Sequence, residues 1–184
     1  MRVGLVSDTH GLLDEKLLAL FEGCDRILHA GDVVRADILE ALARVAPVVA
    51  VRGNNDHGPV LHQLPERALV PLGALTALLI HDLGGAPGHR RRGGAHPALP
   101  LPPARPVLAR QDPELVVHGH SHRPGARWEA GTLFVNPGSA GPRRFSLPRT
   151  AAVLSVRERT VQLAFFDLAE EALRPFGVPV EASF

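Results

Sequence analysis

Apolar and polar positions alternate in a regular order along the first third of the chain. Val3 to Val6 reads as a buried strand, Leu13, Leu17, Leu18 and Phe21 recur at helical spacing, and Ile27 to His29 forms a second strand. Ile38, Leu39 and Leu42 then mark a second helix and Val48 to Val51 a third strand. Strands and helices that alternate at this short spacing predict parallel pairing through crossover helices. The runs Leu69 to Leu72 and Leu75 to Ile80 flank Gly73 and predict a hairpin that continues the sheet. Residues 83–106 are rich in Gly, Pro and Arg, too long for an ordinary connection, and are expected to form a flap or mobile loop. A short helix near Val107 to Arg110 and a strand from Leu115 to His118 follow. Arg127 to Glu129 with Thr132 to Val135 predict one hairpin, and Ala151 to Arg157 with Thr160 to Phe166 another, so the second half is expected to be mostly antiparallel. The picture is two sheets with helices outside, without internal repeats.

Length and composition narrow this further. A chain of 184 residues is expected to form one domain over 1–184, burying roughly 70% of its unfolded surface. A single cysteine, Cys24, excludes an intrachain disulfide and a thiolate metal cluster, and suits a reducing cytoplasm. Ten histidines make imidazole and carboxylate the expected metal ligands. The longest apolar stretches, Val45 to Val51 and Ala74 to Ile80, are strand-sized, so no membrane helix is expected. Strand character already at Arg2 to Val6 argues against a signal peptide. The net charge of +1 gives no global field for a polyanion.

Chemistry enters where the apolar strands stop. Asp8 and His10 follow the first strand, Gly31-Asp32 the second, Gly53-Asn54-Asn55-Asp56 the third, His81-Asp82 the run ending at Ile80, and Gly119-His120-Ser121-His122 the run Leu115 to His118. In an open α/β sheet the carboxyl ends of parallel strands share one edge, where ligands bind. Seven residues are therefore candidate ligands: Asp8, His10, Asp32, Asn54, His81, His120 and His122. One metal cannot use all seven and keep a position open for substrate, whereas two metals can if a carboxylate bridges them. Nitrogen and oxygen donors without sulfur suit Mn, Fe, Zn or Ni, with Mn the first expectation. Glycines at 31, 53 and 119 are expected where the backbone turns sharply beside the cluster.

The ordered series Asp-x-His, Gly-Asp, Gly-Asn-x-Asp, His and Gly-His-x-His resembles the calcineurin-like metallophosphoesterases. With Asn136-Pro137-Gly138-Ser139 after the histidine pair, the chain is similar to their small bacterial and archaeal phosphodiesterase branch over Met1 to about Phe166. The resemblance implies a four-layer α/β/β/α sandwich of two facing mixed sheets with helices outside. It also implies a dinuclear centre in which Asp8, His10, Asp32 and His122 hold one ion and Asp32, Asn54, His81 and His120 the other. The implied reaction is hydrolysis of a phosphodiester by in-line attack of a metal-bound hydroxide, with ions about 3.5 to 4 Å apart clamping both sides of phosphorus. Asp32 would bridge the ions, and Asn54 and His81 would act with it at the reacting phosphate.

Departures from the family pattern shape the substrate expected. Larger phosphatases of the superfamily place a proton-donating histidine after the Asn ligand, where this chain has Asn55, and the small phosphodiesterase branch lacks that histidine too. Without an acid, poor leaving groups lose on the order of 10² to 10⁴ in rate, so activated aryl or nucleotide diesters are expected. His57 is the candidate substitute acid. Asp56 is expected to orient a histidine ligand, and Arg149 or Arg143 to add charge near the phosphate. Asp82, where the family usually has glycine, is expected to bear on the second site. His29 and His118 read as structural, and His62, His89 and His96 as loop residues without partners. Arg90 to Arg92 read as a solvated flap and disfavour a nucleic-acid partner; a homo-oligomer is left open. The alternatives are a phosphomonoesterase or nuclease of the same fold, or a non-catalytic metal-binding interaction module, since a retromer subunit shares this fold. The apolar stretch Phe176 to Phe184 is expected to remain available to partners.

Overall fold

The computed structural model describes residues 1–84, 113–144 and 146–184. The flap expected over 83–106, apart from its first two residues, lies outside them, as do His89, His96, Arg90 to Arg92 and the short helix expected at Val107 to Arg110.

The first sheet is built around β1 (Arg2–Val6), which pairs in parallel with β2 (Arg26–His29), itself parallel to β3 (Val48–Ala50). Helices α1 (Glu15–Phe21) and α2 (Ala36–Ala43) make the crossovers. Asp14 caps α1 by accepting the Lys16 N–H at 2.9 Å, and the buried residues Leu17, Leu20 and Phe21 recur three and four apart on one face. That face needs Gly4 beneath it, because a Cβ there would lie 2.7 Å from the Phe21 ring. On its other side β1 pairs antiparallel with β9 (Thr150–Arg157), followed by β10 (Thr160–Asp167) and β11 (Pro175–Ser183). The second sheet has the order β4 (Arg67–Leu72), β5 (Leu75–Ile80), β6 (Leu115–Val117), β8 (Thr132–Asn136), β7 (Gly125–Glu129).

The inner faces meet in one apolar layer. Val3, Leu5, Leu28 and Leu154 of the first sheet join Val70, Leu79, Val117 and Val135 of the second. A second layer, with Val6, Ile27 and Val153 packed on Leu17, Phe21, Ile38 and Leu42, lies between the first sheet and its helices. The central strands β1, β2 and β9 are thus buried on both faces, which is why they read as continuous apolar runs rather than alternating ones, whereas β10 alternates. Among the described residues both α-helices belong to this side, and none is long and apolar enough to cross a membrane.

Two expectations change. The β4–β5 hairpin does not continue the first sheet; it opens the second. The second half is less antiparallel than expected, since β6 runs parallel to both β5 and β8. Phe176 to Ser183 lies in β11, hydrogen-bonded along β10, with Phe176 against Phe165 and Phe184, just past the strand, against Trp128; Phe176 and Trp128 stay exposed.

Candidate metal centre

Both sheets contain three strands running the same way, β1, β2, β3 and β5, β6, β8, and their carboxyl ends open at one edge. All seven candidate ligands come together there. Five of them, Asp8, His10, Asp32, His120 and His122, have φ between 46° and 66°. Left-handed backbone at residues other than glycine is uncommon and concentrates at functional sites. It is held by bonds between the loops: the Asp8 N–H donates to Gly31 O at 2.9 Å and the His10 N–H to Asp32 O at 3.0 Å.

The donors fall into two groups about Asp32. In the first, His122 Nε2 lies 3.1 Å from Asp8 Oδ1 and 3.1 Å from His10 Nε2, and His10 Nε2 lies 3.8 Å from Asp32 Oδ2. In the second, Asn54 Oδ1 lies 3.1 Å from His81 Nε2 and 3.0 Å from His120 Nδ1, and His81 Nε2 lies 3.5 Å from Asp32 Oδ1. One oxygen of Asp32 therefore faces each group. Asp8 Oδ2 accepts from Ser7 Oγ at 2.6 Å and from the His120 N–H at 3.0 Å, but Oδ1 is buried with no hydrogen-bond partner. A buried carboxylate oxygen without a hydrogen bond, facing the imidazole nitrogens of His122 at 3.1 Å and His10 at 3.7 Å, is the environment a cation satisfies.

Electrostatics reinforce the grouping. Burial would lower the affinity of His81 for a proton, yet its bond to Asp32 and the charges of Asp8 and Asp32 outweigh this and push its pKa up to about 9. Burial works to raise Asp32, but His81 and the two bonds from Asn55 hold it well below the usual carboxylate range. Burial and then the charge of Arg144 lower His10, against Asp32 and Asp8. The His81 Nδ1 faces Ala30 O at 2.7 Å, which orients Nε2 toward Asn54 and Asp32.

Glycines at 53 and 119 are required by close approach rather than by unusual φ, and only Gly31 of the expected three has positive φ (89°). A Cβ on Gly53 would overlap Asp32, and one on Gly119 would overlap Ser7 Oγ and lie 2.6 Å from Asp8 Oδ2.

Several supporting roles differ from expectation. Asp56 touches no histidine ligand; its carboxylate accepts the Val34 N–H at 2.7 Å and the Gly53 N–H at 2.8 Å, clasping the second and third ligand loops together. Asp82 turns to the Gly84 N–H at 3.0 Å, away from the cluster. Arg149 binds Asp14 and the carbonyls of Ala140 and Gly141. His62 has a partner after all, Arg52 at 3.2 Å. His57 is exposed and makes no contact with the donors.

Other residues take roles that the sequence did not assign to them. Asn55 donates its backbone N–H to Asp32 Oδ1 at 2.8 Å and its side-chain amide to Oδ2 at 2.6 Å. His29, fully buried, accepts the Gly31 N–H at 3.2 Å and meets Thr9 Oγ1 at 3.1 Å, joining the first two ligand loops. Asn136 donates to Gly119 O and Ser121 Oγ, both at 2.9 Å, and Ser139 Oγ donates to Asp8 O at 2.9 Å. The Asn-Pro-Gly-Ser turn thus ties the histidine pair to the first loop. Its signal lay in the motif itself, a turn sequence directly after a strand of the same sheet.

The calcineurin-like phosphoesterase superfamily domain matches residues 1–159. The chain belongs to this superfamily. The match places it among phosphoester hydrolases that use divalent metals. A protein of Methanothermobacter thermautotrophicus named "Probable metallophosphoesterase" is 29% identical to this calcineurin-like chain over 153 residues, 80% of this chain and 82% of its own length. Among solved structures, Vps29 from Cryptosporidium parvum superposes with a TM-score of 0.75 at 21% identity, covering 100% of this chain and 98% of its own. Vps29 from Entamoeba histolytica complexed with zinc gives 0.74 at 20% identity, covering 98% and 99%. These likenesses are of fold.

Proposed function

We propose that this calcineurin-like protein is a dinuclear-metal-dependent phosphodiesterase. The observation that carries the reading is Asp32: buried, ionised, and presenting one oxygen to each of two separate donor groups. Asp8, His10, Asp32 and His122 would hold one divalent ion, and Asp32, Asn54, His81 and His120 the other, with manganese the first candidate for such nitrogen and oxygen donors. Divalent ions bound there supply Lewis acidity toward a phosphate and toward the attacking water.

The chain's own residues do the rest. Asp8, Asp32, His81 and His122 are buried and form the floor, whereas Asn54 and His120 are exposed and form the face that a diester meets. The Asn55 side chain is turned down onto Asp32 and carries no labile proton for a leaving group. His57 does not reach the cluster, so no described side chain stands ready to protonate a departing oxygen. The substrates that fit are small diesters with good leaving groups, aryl or nucleotide esters.

The experiment is to strip the protein of metal, restore manganese or another divalent ion, and compare an aryl phosphodiester with the matching monoester. Faster hydrolysis of the diester supports the reading. Preference for the monoester would make it a phosphomonoesterase, and hydrolysis of neither with metal bound would leave a metal-binding interaction module; either overturns the proposal.

A further inference from the structure

The charge of Arg149, expected near the phosphate, is taken up by acceptors within the fold. Its Nε donates to Gly141 O at 2.9 Å, and its Nη2 donates to Asp14 Oδ2 at 2.7 Å and to Ala140 O at 3.1 Å. Asp14 is bound at its other oxygen as well, where Oδ1 caps α1 through the Lys16 N–H at 2.9 Å. One guanidinium thus joins the start of α1, just beyond His10, to the strap formed by residues 139–141.

That strap grips the first ligand loop by its carbonyls. The Ala140 N–H donates to Ser7 O at 3.1 Å, while Asp8 O accepts both the Gly141 N–H at 3.0 Å and Ser139 Oγ at 2.9 Å. The approach is so close that a Cβ on Gly141 would lie 2.5 Å from Asp8 O and 2.6 Å from Thr9 O. From the other direction, the N–H groups of Asp8 and His10 donate to Gly31 O and Asp32 O. Between these two grips Asp8 and His10 are held at φ of 54° and 46°. Left-handed backbone at residues that carry a Cβ is disfavoured and persists only where the surroundings impose it. The position of residues 139–141 therefore bears on where the Asp8 carboxylate and the His10 ring sit, and Arg149 fixes that strap by two of its carbonyls. The second donor group stands on other supports. His81 Nδ1 faces Ala30 O at 2.7 Å, and Asp56 secures the loop that carries Asn54 through the Gly53 N–H at 2.8 Å.

We propose that Arg149 is a positioning residue for the first donor group, holding Asp8 and His10 in place for their ion through residues 139–141. The proposal rests on the dinuclear reading of the centre. It is tested by calorimetric titration of manganese into metal-free protein in two backgrounds. Asn54→Ala leaves the first donor group intact, and His10→Ala leaves the second. In the Asn54→Ala background, adding Arg149→Ala should weaken manganese binding about 10-fold or more. Arg149→Lys should recover part of this, because an ammonium restores the charge but not the fork that reaches three acceptors. In the His10→Ala background the same substitution should change manganese affinity by no more than about twofold, as for a site with separate supports. Melting curves of the metal-free proteins show which variants fold. If Arg149→Ala does not, Asp14→Asn carries the test, since it keeps an oxygen for the Lys16 N–H and removes the charge opposite Arg149; the same selective loss is expected. Equal weakening in both backgrounds is what a merely structural role produces, and it overturns the proposal. So does unchanged affinity in the Asn54→Ala background. If the parent takes up fewer than two ions, the dinuclear reading fails and the proposal with it; if it takes up two, the failure belongs to Arg149 alone.

Discussion

Asn55 holds both oxygens of Asp32, one through its backbone and one through its side chain. Asn55→Ala leaves the backbone bond and frees the carboxylate to rotate. Metal affinity should then drop about 10-fold or more, as for other residues that orient a ligand from behind, in a titration that also gives stoichiometry. His29 makes a different prediction. Burial, opposed by Asp56 and Asp8, lowers its pKa from 6.5 to about 4. Between those values the unfolded chain binds a proton at His29 that the folded one does not, so stability is lost as pH falls through this window. The loss amounts to about 3 kcal/mol. Urea unfolding of the metal-free protein should therefore show a steeper pH dependence from 6.5 to 4 than His29→Gln does, and equal slopes would remove the idea. Neither role was legible from residue type alone. Asn55 read as the absence of an acid and His29 as core, because a hydrogen bond across 23 or 20 residues leaves no local pattern.

At the scale of elements, agreement with the sequence was closest where one strand or helix is sufficient to itself. β1, β2, β3, α1 and α2 lie within a few residues of the apolar spacings that predicted them. β11 was missed because Pro175, Gly177 and Pro179 interrupt any alternation; prolines of this kind are tolerated where a strand lies at a sheet edge, as β11 does. The orientation of β6 was missed for another reason: Leu115 to Val117 is apolar on every residue, which says buried but not beside what. Gly119 at the end of β6 shows how an element serves the site. Gly119→Ala forces a Cβ into Ser7 Oγ and the Asp8 carboxylate, and should destabilise the fold by about 1–3 kcal/mol. It should also weaken metal binding, whereas full retention of both in melting and titration experiments would show that the loop yields without cost.

Across the whole molecule, the proposed centre joins two sheets that also meet through their apolar layer and through polar contacts such as Arg159–Glu114 and Arg26–Pro71 O. Asp8, His10, Asp32 and Asn54 come from the first sheet, and His81, His120 and His122 from the second. Ions shared between them stabilise the folded state alone, by about 2.7 kcal/mol for a site at 100 times its dissociation constant. Chelation should lower the melting temperature and manganese restore it, while Asp32→Ala should melt at one temperature with or without metal. The sequence by itself determined the donor types, their order and their places at strand ends, because those depend on local periodicity and on a composition of ten histidines against one cysteine. Only the tertiary structure decided that Asp32 faces two groups, that Asn55 and Asp56 brace the loops, and that Arg149 is committed to Asp14 and the carbonyls of Ala140 and Gly141. Those facts depend on which loops touch, and that is settled by the parallel strand ends of two sheets converging on one edge.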